Sequence, residues 1–157
     1  MKNVKSSFDY VVCSYDDLNE NQRKIVDLAR KATYRSYAPY SNFKVGASIL
    51  LSNGITVDGA NQENASFPAG TCAERSACFY AASQYPDIDF KAIAIAARDH
   101  TDDFITNPIS PCGVCRQALL EYETRAGHPV EVILTGRDNI YIVKSVRDLL
   151  PFAFSEF

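Results

Sequence analysis

Two short stretches, "TCAERSAC" at residues 71–78 and "SPCGVCRQ" at 110–117, constrain the fold of this chain more than any other feature. Each places a cysteine where a helix begins. "CAERSACFYAASQ" (72–84) is rich in alanine and free of helix breakers. "PCGVCRQALLEYE" (111–123) opens with proline, which is favoured at the first helical position. Cys112 and Cys115 are three apart, so the first turn of a helix brings them to one side. If Cys72 acts with them, two helix starts far apart in the sequence must meet at one point.

The chain has five cysteines, an odd number. The N-terminal "MKNVKSSFDYVVCSYDD" lacks the apolar stretch of a signal peptide, and the longest apolar run, "AIAIAA", is far too short to span a bilayer. A cytoplasmic protein is therefore expected, and its cysteines do not read as a disulfide framework. Cys112-x-x-Cys115 alone fits a zinc site, a redox pair or chance. A redox pair wants a thioredoxin-like strand-to-helix setting. A structural zinc site needs four protein ligands, whereas three with an open fourth position is the pattern of a catalytic zinc. Beyond Cys72, Cys112 and Cys115 the remaining candidates are Cys13, Cys78, His100 and His128. Cys78 lies six residues beyond Cys72 and faces another direction. Cys13 stands in an expected strand, and burial explains both. His100, in "RDHTDD", and His128, before Pro129, read as solvated loop residues.

Helix starts favour thiolate over thiol through their backbone N–H groups and dipole. Three thiolates around one divalent zinc leave a net charge of about −1, which weakens it as a Lewis acid. Arg75 and Arg116 directly follow ligand candidates and are placed to donate to sulfur. Glu74, two residues after Cys72, is an ordinary dipole partner for a first helical turn. Beside a three-cysteine site it also becomes an acid–base group for water at the metal.

The remaining pattern is α/β. "SFDYVVC" (7–13) reads as a short strand. "DDLNENQRKIVDLARKATYRS" (16–36) reads as an amphipathic helix with Asp17 and Glu20 at capping-box spacing and Leu18, Ile25, Leu28, Ala29 and Ala32 on one stripe. "FKVGASILL" and "ITVDGA" form a hairpin about Asn53-Gly54, whose residues accept positive φ. "KAIAIAA" (91–97) reads as a strand buried on both faces, "VEVILT" and "IYIVK" as two more, and "SVRDLL" as a last short helix. This order implies a mixed sheet with helices on both faces. The 157 residues suit one domain, and a formal charge of −3 with no Lys/Arg run argues against nucleic-acid binding.

"YAPYSNFKVGA", "NQENASF", "TCAERSA", "SPCGVCRQ" and "LLPFAF", in that order from about Tyr37 to the C-terminus, resemble the zinc-dependent cytidine deaminase family in its three-cysteine form. Residues 1–35 correspond only to an extension and a first helix. The resemblance implies a three-layer α/β/α sandwich on a five-stranded mixed sheet, spanning residues 1–157 as one catalytic domain. It implies one Zn2+ per subunit on Cys72, Cys112 and Cys115, with Glu74 moving protons and Arg75 offsetting thiolate charge. It implies deamination of cytidine and 2′-deoxycytidine in pyrimidine salvage. Asn61 and Glu63 would take the ribose 3′-hydroxyl, Phe43 the pyrimidine face, and Ala73 and Ser110 the base and its leaving group. A negative Glu63 beside the ribose would repel a 3′-phosphate and favour a free nucleoside. Phe67 stands where many relatives carry Tyr. Phe154 would insert into a neighbouring subunit's site in a homotetramer. The rival readings are a deaminase of another cytosine nucleoside such as blasticidin S, a polynucleotide-editing deaminase, which the charge disfavours, and a non-catalytic zinc-stabilised module.

Overall fold

The computed structural model describes residues 1–155. In chain order its strands and helices are β1 (Tyr10–Cys13), α1 (Glu20–Ala32), β2 (Lys44–Leu51), β3 (Thr56–Ala60), α2 (Ala73–Gln84), β4 (Phe90–Arg98), α3 (Gly113–Ala126), β5 (Glu131–Thr135) and β6 (Ile140–Val143). They build one mixed sheet in the order β1-β6-β5-β4-β2-β3. Among the described residues only β4 and β5 run parallel; every other neighbouring pair is antiparallel. The sheet has six strands rather than the expected five. The additional one is β1, whose residues pair with β6 from Tyr10↔Val143 to Cys13↔Ile140 and cover an edge that would otherwise expose its backbone.

Helix α1 begins later than its sequence pattern suggests. Both 17–20 and 19–22 fit a capping box, and the structure uses Asn19 with Gln22: each side chain accepts from the other's backbone N–H at 3.0 Å. Asp17 instead accepts from the backbone and hydroxyl of Ser14, closing a separate 3-10 turn at Tyr15–Asp17. The expected last helix is a 3-10 turn, Val146–Leu149. In the β2–β3 hairpin only Gly54 has a positive φ (84°), and Asn53 contributes through its side chain, which accepts from Ile55 N at 3.1 Å.

Strand alternation divides the core into two layers. Ala47, Ile49, Ile93, Ile95, Val132 and Leu134 face α2 and α3. Leu50, Ala92, Ala94, Ala96 and Ile133 face α1, which buries Ile25, Val26 and Ala29 against them. The alanines let α1 lie close. At Gly46 the approach is closest: a Cβ there would run into the Ala29 carbonyl and lie 2.6 Å from Thr33 N.

A buried carboxylate locks the far end. Glu123 on α3 is only 7% exposed and accepts from Val130 N (2.9 Å), Val146 N (2.8 Å), the Ser145 hydroxyl (2.6 Å) and Arg147 N (3.3 Å). It thereby ties the start of β5 and the last 3-10 turn to α3, on the helix that also carries Cys115. Replacing Glu123 with Gln turns one acceptor oxygen into a donor facing N–H groups. The expected cost is about 2–3 kcal/mol, read as a lower urea midpoint at unchanged slope. An unchanged midpoint would show that the clamp contributes nothing.

Candidate metal and nucleoside site

Helices α2 and α3 start side by side on one face of the sheet. Cys72 is the N-cap of α2 and Cys112 the N-cap of α3, and neither helix has a side-chain hydrogen bond capping its first turn. The sulfurs therefore stand where Ser or Asp usually caps, beside N–H groups that have no intrahelical partner. Cys115 follows in the first turn of α3, fully buried. The three sulfurs lie within 4.8 Å of one another, with Cys72–Cys112 at 4.0 Å and Cys112–Cys115 at 3.6 Å. Three thiolates at about 2.3 Å from a tetrahedral zinc stand about 3.8 Å apart, so the donor set and its spacing fit that ion. Among the described residues no fourth His, Cys, Asp or Glu joins the cluster.

The electrostatics follow from this packing. Hydrogen bonding from Cys115, with help from Arg75 and Cys112, outweighs burial and pulls the Cys72 thiol down to about 5. The same bond to Cys72, together with burial, pushes Cys115 upward. The two sulfurs thus differ in how readily they ionise, and metal binding would require both as thiolates. Arg75 faces both: burial opposes its charge, but the interactions with Cys72 and Cys115 prevail and raise its pKa. Its Nε is buried without a protein partner. Glu74, 4% exposed in the first turn of α2, is pushed up to about 6 by burial, and the neighbouring Cys72 charge adds to the rise.

A cavity of about 480 Å3 opens onto Cys72 and Arg75 and is walled by Tyr40, Asn61, Glu63, Phe67 and Thr71 among others. That volume suits a small molecule. Its wall is stitched by the backbone: Gln62 and Thr71 exchange two hydrogen bonds at 2.9 Å, and Glu63 N donates to Tyr37 O at 2.7 Å. Cys72 thus follows directly on a segment tied to the one that presents Glu63. The Glu63 carboxylate accepts from the backbone of Tyr40 (2.8 Å) and Ser41 (3.3 Å). Hydrogen bonding from Ser41 and Tyr40 holds it below the usual carboxylate range. A larger hollow, about 830 Å3, lies between residues 6–8 and the C-terminal segment and carries none of this chemistry.

The family model for the cytidine and deoxycytidylate deaminase zinc-binding region matches residues 19–127. The chain belongs to this family. A cytidine deaminase of Sporosarcina psychrophila is 37% identical over 85% of this chain and 90% of its own length. The crystal structure of cytidine deaminase from Burkholderia pseudomallei superposes with a TM-score of 0.68 at 40% identity, covering 83% of this chain and 97% of that one. That from Mycobacterium tuberculosis gives the same score at 28% identity, over 88% of this chain and all of the other.

Several residues singled out from the sequence lie elsewhere than the cavity wall. Phe43 sits just before β2, its carbonyl accepting from the Asn61 side chain at 2.9 Å. Ala73 is buried in the first turn of α2, and the Ser110 hydroxyl accepts from Arg116 at 3.0 Å. Phe154 lines the larger hollow, its backbone gripped by Gln117 at 2.7 and 3.3 Å. Arg116 does not serve the sulfurs: it donates to Pro111 O and Leu149 O, both at 2.7 Å. Asn61 is largely occupied, its oxygen accepting from Val45 N (2.8 Å) and the Ser36 hydroxyl (2.5 Å). Tyr40 and Thr71 are wall residues that sequence reasoning did not assign to the site. Tyr40 meets Phe67 edge to face at 5.7 Å, and the only signal was its place in "YAPYSNF".

Arg75→Gln is expected to weaken zinc retention about 10-fold at neutral pH. Without the guanidinium the Cys72 thiol keeps its proton to a higher pH, so the deficit grows as pH falls. Chelator competition at pH 6 and pH 8 reads both effects, and equal retention at both would overturn the role given to Arg75.

Proposed function

We propose that this protein catalyses the hydrolytic deamination of cytidine and 2′-deoxycytidine to uridine and 2′-deoxyuridine with release of ammonia. The observation that carries this reading is the meeting of three cysteine sulfurs at metal-binding separation with the buried carboxyl group of Glu74. The alignment of cytidine deaminases over most of their length supports transferring the reaction.

When bound, the zinc supplies Lewis acidity and an activated water nucleophile for carbon 4 of the cytosine ring. Glu74 handles the protons. Held up to about 6, its carboxyl group exchanges a proton near neutral pH. It would accept one proton from the attacking water and deliver it to ring nitrogen 3, then take the second proton from the hydroxyl newly joined to carbon 4 and pass it to the departing amine, leaving uridine and ammonia. Arg75 offsets the charge of the thiolates. The backbone of Ala73 and the carbonyl of Ser110 orient the base and its leaving group, and Phe43 packs on the pyrimidine face.

Glu63 and Asn61 take the ribose 3′-hydroxyl. Glu63 stays ionised and acts as acceptor, while Asn61, whose oxygen is engaged within the protein, contributes its remaining N–H. The charge on Glu63 repels a 3′-phosphate and selects free nucleosides. At Phe67 no hydroxyl is offered to the sugar. The active assembly is a homotetramer in which Phe154 of one subunit completes a neighbour's site; the exposure of Phe152 and Phe154 supports this. A cytoplasmic setting, which keeps thiols reduced, suits the ligand set. Among the described residues no helix is long and apolar enough to cross a membrane.

Glu74→Gln keeps the shape of the side chain and removes its proton exchange. Zinc content and fold are expected to be retained while turnover of cytidine, followed by its ultraviolet change, falls at least about 10²–10⁴-fold. Unchanged turnover would remove Glu74 from the mechanism. A zinc-loaded wild-type sample inert toward cytidine, deoxycytidine and blasticidin S would favour a non-catalytic metal module.

A further inference from the structure

Two glycines in the sheet lie under helices, and their surroundings differ. Gly46 faces the last turn of α1, on the side of the sheet away from the sulfurs. Gly59, in β3, lies under the first turn of α2. A Cβ at Gly59 would stand 2.5 Å from Ala73 O and 2.5 Å from Ala77 N. Those two atoms belong to the first backbone turn after Cys72, the turn that also carries Glu74 and Arg75. The φ at Gly59 is not positive, so space rather than backbone conformation demands glycine here. Both neighbours are backbone atoms and cannot swing aside as the end of a side chain can.

The magnitudes decide what this closeness is for. Ordinary contact at a Cβ begins at 3.4 Å, so a methyl group would force the turn and the strand apart by about 1 Å. Metal–ligand distances tolerate only about 0.2 Å. Cys72 is joined to this turn directly, whereas Cys112 and Cys115 belong to α3 and would stay behind. We infer that Gly59 is a positioning residue for the metal centre: by carrying no side chain it lets the start of α2 settle on β3 at the height where the Cys72 sulfur meets those of Cys112 and Cys115. The inference rests on the three cysteines being the zinc ligands.

Cobalt(II) in place of zinc tests it, because thiolate-to-cobalt absorption reports the sulfurs bound without reference to turnover. Gly59→Ala is expected to lose part of this absorption and about 10–100-fold in metal affinity. Gly46→Ala, which overpacks a backbone contact remote from the sulfurs, is expected to lower the thermal midpoint while keeping the wild-type spectrum and affinity. Gly59→Ala with wild-type absorption and affinity would overturn the inference. So would Gly46→Ala showing the same loss, since the effect would then be general destabilisation. Wild-type protein lacking thiolate absorption would overturn the metal reading itself, and this inference with it. Should metal-free Gly59→Ala be unfolded, the metal concentration that refolds it is compared with that for Gly46→Ala set to equal instability in urea. Equal concentrations again overturn the positioning role.

Discussion

Everything in the site depends on bringing three sulfurs, which repel one another as thiolates, within 4.8 Å in a partly buried place. Two sources of positive potential make that tolerable. One is the pair of helix N-termini, whose N–H groups lack side-chain caps. The other is Arg75, whose charge is reinforced by the same sulfurs it faces. The mutual influence of the sulfurs favours ionisation of Cys72 and opposes that of Cys115. A divalent cation would offset the thiolate charge more completely, so the cysteines, the arginine and the helix starts form one electrostatic unit.

The sheet makes that unit geometrically available. Antiparallel pairing of β2 with β3 and β4 sets β3 at one edge, where α2 rests on it. The parallel pairing of β4 with β5 requires a crossover, supplied by α3. Both helices therefore lie on one face. The close approach at Gly59 lets α2 rest near β3, and the Glu123 clamp ties the far end of α3 to the start of β5 and the last 3-10 turn. The nucleoside pocket is then formed by the chain entering α2, where residues 61–63 are stitched between Tyr37 and Thr71.

Much of this was legible in residue order. The hairpin, α2 and the buried β4 each carry a local signal: Asn53-Gly54, alanine richness, an unbroken apolar run. Pro111 marks the start of α3 only approximately, since it precedes the Cys112 N-cap and does not occupy the first helical position. The α1 cap differs from the expected one because two overlapping tetrads, 17–20 and 19–22, satisfy one motif, and the sequence does not rank them. The sixth strand was readable as "SFDYVVC", but its partnership with β6 joins opposite ends of the chain and leaves no local trace. Arg116 departs from its expected role for a related reason. Its neighbour Cys115 points inward, while its own side chain reaches Leu149 from a region that sequence proximity does not connect.

By itself the sequence determined the chemistry: which side chains can become thiolates, which acid stands two residues from one of them, and that two of its cysteines stand at helix starts. These are properties of types and spacings along a few residues, and local backbone preference suffices to set them. Only the tertiary structure decided that Cys72 meets a pair forty residues away, that Glu74 is buried enough to hold a proton near neutrality, and that Asn61 spends most of its bonds on the protein. Each of those depends on distances between segments remote in sequence. Such distances are set by how closely helices can approach a sheet, which no short stretch encodes.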